Sequence, residues 1–148
     1  MGIEYCYDIN KVVSELSRVL KPNCYLIFSV DSIFFVVWAF LNLRDLNGAL
    51  KVLQERKYID EDGVYCWTYT PSELRQICER NGLRVVKIVS GGGICALIKD
   101  AKYRKEIFMD KEKLSKLLEI EMKLCEIEDT VIIGSHLLVI ARKETRSS

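Results

Sequence analysis

DINKVVSELSRVLKPN (Asp8–Asn23) runs directly into CYLIFSV (Cys24–Val30), and this block decides the fold. Ile9, Val12, Val13, Leu16, Val19 and Leu20 recur at helical spacing and form one apolar stripe. Asp8 or Asn10 can cap the first turn, because a short side-chain oxygen accepts from the free N–H groups there. Lys21 suits the negative end of the helix and Pro22 stops it. Asn23 tolerates the left-handed backbone that such a stop requires. Tyr25–Val30 then reads as a strand buried on both faces. A helix that feeds such a strand through a short turn is half of a βαβ unit, so the fold class is α/β.

Outward from this block, composition narrows the possibilities. Lys and Arg number 22 against 21 Asp and Glu, so no global charge draws the chain to nucleic acid or anionic lipid. Hydrophobic residues make up 49% of the chain, which argues against disorder. Met1–Tyr7 lacks the basic start and long apolar region of a secretion signal. The six cysteines (Cys6, Cys24, Cys66, Cys78, Cys95 and Cys125) form no CxxC pair and match no zinc spacing. They read as reduced, small apolar residues of a cytoplasmic protein, and no metal site is expected. A single domain over residues 1–143 is expected, with 144–148 as a disordered tail.

Cys24–Leu43 is apolar enough to be weighed as a membrane span, but Asp31 and Ser32 interrupt it and Asn42 closes it. A strand, a turn at Asp31-Ser32 and an apolar helix from Ile33 through Leu43 to Leu53 fit better. Phe34, Phe35, Trp38 and Phe40 point in several directions around that helix, so one core face cannot bury them all. Asp31, Ser32, Phe35 and Trp38 are therefore the residues expected to face a substrate or a partner. Farther on, Thr70-Pro71-Ser72-Glu73 is a helix start with a capping box. Asn81-Gly82 ends that helix, and Leu83–Val89 is a strand. Ser90–Ala96 (SGGGICA) meets the form of a glycine-rich phosphate loop. Asp110–Cys125 reads as a helix where a dinucleotide site needs a second strand, so the segment is taken as a loose exit from the sheet. Ser135–Lys143 is a last strand, and His136 at its entry is read as structural.

In order, these blocks resemble the C-terminal half of class I S-adenosylmethionine-dependent methyltransferases. The family's "helix, RVLKPGG, strand" block matches Asp8–Val30, the "Y-T-P-x-E-L … NG-hydrophobic" block matches Tyr69–Val89, and the strand ending in "ARK" matches Ser135–Lys143. The resemblance implies a partial Rossmann-like sheet, strand order 4-5-7-6, with the last strand antiparallel, at most four strands and flanking helices. It also implies that Met1–Tyr5 is the end of the fourth strand and the loop after it, with Ile3, Glu4 and Tyr5 nearest the cofactor. The family's glycine loop, its acid for the ribose hydroxyls and its adenine-contacting segment have no counterpart here. S-adenosylmethionine is thus the cofactor by resemblance only, with weak or no binding expected from this chain alone.

Two functions follow from the resemblance, and an unrelated small α/β domain or binding protein is the third reading, to which a sheet order inconsistent with 4-5-7-6 would point. One is the back half of a methyltransferase, separated from its N-terminal half by a misplaced start, a split gene or truncation. The other is an interaction or oligomerisation module without catalytic activity. In either case a homodimer, or a complex with a separately encoded N-terminal half, is expected through Met1–Tyr5 and the aromatic helix. No catalytic residue and no methyl acceptor can be read.

Overall fold

A computed structural model describes residues 2–144. Met1 and 145–148, most of the expected tail, lie outside the described residues; Glu144 itself pairs with Arg84 at 2.8 Å. The helices are α1 (Ile9–Val19), α2 (Ile33–Asn42), α3 (Leu46–Glu55), α4 (Pro71–Arg80), α5 (Ala101–Met109) and α6 (Lys111–Glu126). The strands are β1 (Tyr25–Ser32), β2 (Lys57–Ile59), β3 (Tyr65–Tyr69), β4 (Leu83–Gly91) and β5 (His136–Lys143). They form one mixed sheet in the order β2-β3-β1-β5-β4. As expected, β5 runs antiparallel between β1 and β4.

The local signals act where the sequence places them. Asp8 caps α1 by accepting from the Lys11 N–H at 3.1 Å. Asn23 takes φ 65°, the left-handed turn between α1 and β1. Thr70 and Glu73 form the capping box of α4 reciprocally, and Gly82 closes that helix at φ +72°, a value L side chains avoid.

Several expectations are corrected. The sheet has five strands rather than at most four, because the β2–β3 hairpin joins it. Asp60 organises that hairpin's turn, its carboxylate accepting from the Asp62 N–H at 3.0 Å and the Val64 N–H at 2.9 Å. Of the expected N-terminal strand, the described residues 2–5 form a parallel bridge, Gly2 to Ser29; the Ile3 N–H donates to the Ser29 carbonyl at 3.0 Å, and the Glu4 carbonyl accepts from the Trp67 N–H at 2.9 Å. Past Glu4 the edge of β1 is taken over by β3, which runs parallel to it at Asp31–Thr68 and Ser32–Tyr69. The outer strand of the sheet on this side is the short, Lys-bearing β2. No turn forms at Asp31-Ser32, since both residues are held by strand partners and α2 begins at Ile33.

The expected single helix from Ile33 to Leu53 is broken. Arg44 takes φ 61°, and Asp45 caps α3 by accepting from the Gly48 N–H at 2.7 Å. A Cβ on Gly48 would overlap the Phe40 ring, so glycine lets α2 and α3 fold together. Their shared core is Ile33, Val36 and Val52, with Phe40 and Tyr58 packed against it.

The main core lies on one face of the sheet. Phe28 of β1, Val139 of β5 and Ile88 of β4 stand opposite one another, and α1 and α4 supply Ile9, Val13, Leu74, Ile77 and Cys78 to the same cluster. The other face of β1 is not covered as expected: Tyr25 and Ile27 are 54% and 53% exposed.

Candidate polar site at the carboxyl end of the sheet

Strand parity brings three distant residues together. Successive side chains of a strand point to opposite faces. Phe28 and Val30 take the core face of β1, so Ser29 and Asp31 take the other. Gly2 is bridged to Ser29, which puts Glu4 on Asp31's face and Ile3 in the core. β5 runs antiparallel to β1 with His136 directly opposite Asp31. One carboxylate oxygen each from Glu4 and Asp31 and one His136 ring nitrogen consequently lie within 4.8 Å of one another. Ligands bind in α/β sheets at this end, beyond the carboxyl ends of the parallel strands.

The hydrogen bonds around the cluster hold it in place. His136 Nε2 is 3.3 Å from Asp31 Oδ1. Tyr58 Oη donates to Asp31 Oδ2 at 2.7 Å. Burial raises the Asp31 carboxyl above its ordinary value, opposed by the Tyr58 hydrogen bond and the nearby imidazole. Burial, the hydrogen bond to Asp31 and that carboxylate's charge raise the Tyr58 hydroxyl. Tyr58 is therefore a neutral donor at ordinary pH. Ser135 Oγ lies 3.0 Å from His136 Nδ1 and 3.0 and 3.2 Å from the carbonyls of Gly91 and Gly92. With its single proton donated to one of these carbonyls, Ser135 Oγ is placed to accept from Nδ1–H, and Nε2 faces the carboxylates. Glu4 is buried, and its Oε2 is a buried atom with no hydrogen-bond partner.

The expected site residues divide accordingly. Glu4 and Asp31 converge in the cluster. Ile3 is locked in the core, so its side chain cannot reach a cofactor. Tyr5 is 54% exposed. Ser32 is completely buried, with its hydroxyl donated to the Ile132 carbonyl at 2.7 Å. Phe35 and Trp38 are half-buried with their rings 5.1 Å apart, more a mutual packing pair than a pocket wall. Tyr58 was not singled out by the sequence, and His136 was read as structural. The only signal for His136 was a polar residue at the mouth of an apolar strand, beside Ser135.

The glycine-rich segment is closed on the protein's own carboxylate: the Ile94 and Cys95 N–H groups donate to Glu121 at 3.1 and 2.8 Å. A Cβ on Gly93 would overlap that carboxylate. The segment thus binds an internal anion in the way such loops bind phosphate. A groove of about 980 Å³ beside Ser17, Arg18, Asn81 and Lys143 lies at the other end of β5. Its lysine is occupied, Lys143 Nζ donating to the Ser17 and Leu20 carbonyls at 2.6 and 2.8 Å.

No cysteine enters the cluster, and the buried Cys78 thiol is pushed up to about 11 by burial. Thiolate at pH 8 is then roughly a hundredfold scarcer than for an ordinary thiol, and thiolate is the reactive form. Alkylation followed by mass spectrometry is expected to label the exposed Cys24 first and Cys78 only on unfolding. The unfolded thiol ionises near its usual value, 9.0, so this thiol's contribution to stability is full below pH 9 and lost as pH rises through about 11. Labelling of Cys78 as fast as Cys24 at pH 8 would contradict the burial.

No protein-family model and no curated protein matches the chain. Solved structures do. A Listeria monocytogenes protein described as an S-adenosylmethionine dependent methyltransferase superposes with TM-score 0.50 at 15% identity, over 97% of this chain and 58% of its own. An S-adenosylmethionine dependent methyltransferase from Mesorhizobium loti superposes with TM-score 0.50 at 14% identity, over 95% of this chain and 58% of its own. The chain spans 58% of the length of both. It has a methyltransferase-like α/β fold.

Proposed function

We propose that this chain is the acceptor-side portion of an S-adenosylmethionine-dependent methyltransferase, with the adenosyl-binding portion supplied from outside these residues. The polar cluster of Glu4, Asp31 and His136 carries this reading, because it lies at the end of the sheet where α/β folds bind ligands. The superpositions support it, covering nearly all of this chain and little more than half of the methyltransferases. Calorimetry on the isolated chain is expected to show no S-adenosylmethionine binding at the micromolar level, about −8 kcal/mol. At millimolar cofactor, NMR is expected to show weak amide shifts confined to Ile3–Tyr5, Asp31 and His136. Micromolar binding would place the whole cradle in this chain, and shifts elsewhere or none would end the acceptor-side reading.

A second reading, a self-associating module without catalysis, is favoured by one observation. The central strand β1 leaves Tyr25 and Ile27 more than half exposed on an uncovered sheet face. Sheets bury such faces against another layer. This face is the proposed contact for such a module.

A further inference from the structure

We propose that Glu4, Asp31 and His136 bind one divalent transition-metal cation of the manganese type through two carboxylates and one imidazole. The three ligand atoms already lie within 4.8 Å of one another. Asp31 Oδ1 and His136 Nε2, 3.3 Å apart, are spaced much as neighbouring ligands are when each bond to the metal is about 2.1 Å. Glu4 supplies the independent observation. It is 93% buried by its 7% exposure, and its Oε2 accepts no hydrogen bond. A buried carboxylate oxygen without a partner is costly, and a cation between it and Asp31 removes that cost.

The surroundings support ligation. Tyr58 donates to Oδ2 of Asp31 and leaves Oδ1 toward the cluster. Ser135 Oγ lies 3.0 Å from His136 Nδ1, so it is placed to accept from Nδ1–H in the tautomer whose Nε2 lone pair is free for a metal. Metal-binding carboxylates and imidazoles are commonly oriented by such outer hydrogen bonds. His136 is half-exposed, so water can fill the remaining coordination positions. Two carboxylates are donors typical of manganese, and the absence of thiolate removes the donor that selects the softest metals. The ligands are 27 and 105 residues apart in sequence and form no linear motif, which is why a metal was not expected from the sequence. This inference stands independently of S-adenosylmethionine binding.

The test uses the metal-free chain and Mn²⁺ alone, because six free thiols would compete for zinc. Electron paramagnetic resonance is expected to show one Mn²⁺ bound per chain with submillimolar affinity. Glu4→Gln and His136→Gln are each expected to weaken it at least tenfold. As a measurement independent of the variants, Mn²⁺ should broaden the wild-type amide signals of Glu4, Asp31 and His136 first. No binding at millimolar Mn²⁺, broadening centred elsewhere, or wild-type affinity in both variants would overturn the proposal.

Discussion

Phe28→Ala is expected to cost about 3–5 kcal/mol, because truncating a buried phenylalanine loses its transfer energy and leaves a cavity. Phe28 is 1% exposed in the central strand, opposite Val139 of β5, which in turn stands opposite Ile88 of β4. It joins three strands to the helical layer of α1 and α4, so no single neighbour can relax into the space. Against a total stability of about 5–15 kcal/mol, the loss brings the domain close to unfolding at room temperature. Urea titration followed by circular dichroism measures it. A loss below about 1 kcal/mol would show that this face is not the packed core.

Ile27→Lys, one residue away on the opposite face, is expected to leave the fold intact and abolish self-association. Ile27 is 53% exposed, so a lysine costs the monomer little. In a two-fold dimer across the uncovered face the same residue is lost from both protomers. Removing a buried isoleucine contact costs about 1.5–3 kcal/mol each time, or roughly two to four powers of ten in the dimer constant. Sedimentation is expected to show a wild-type dimer and a monomeric variant with unchanged urea midpoint. A wild-type monomer at high concentration rules out the self-associating module. A variant dimer of unchanged affinity moves the contact elsewhere, with Trp38→Asp on α2 as the next probe.

The contrast between these two adjacent residues marks where sequence reading stops. Both belong to the apolar run Tyr25–Val30, and from sequence alone that run looked buried on each side. Which face receives α1 and α4 depends on how β1 pairs with β5 and β5 with β4, and the β5 partners of β1 lie 105 or more residues away, as Asp31 and His136 do. A β-strand's apolar pattern records that burial is possible; the layers packed on it decide which half is used.

From its sequence alone this protein's helix α1, its left-handed stop at Asn23, the capping box of α4 and the antiparallel last strand were determined. Each rests on contacts within about ten residues or on an ordered set of blocks that resembles a known fold. The fifth strand, the break between α2 and α3 and the closure of the glycine-rich segment on Glu121 were decided by tertiary structure. So was the meeting of Glu4, Asp31 and His136. Register and strand parity carry Glu4 and His136 to the same end and face of β1, and neither quantity exists until the strands pair.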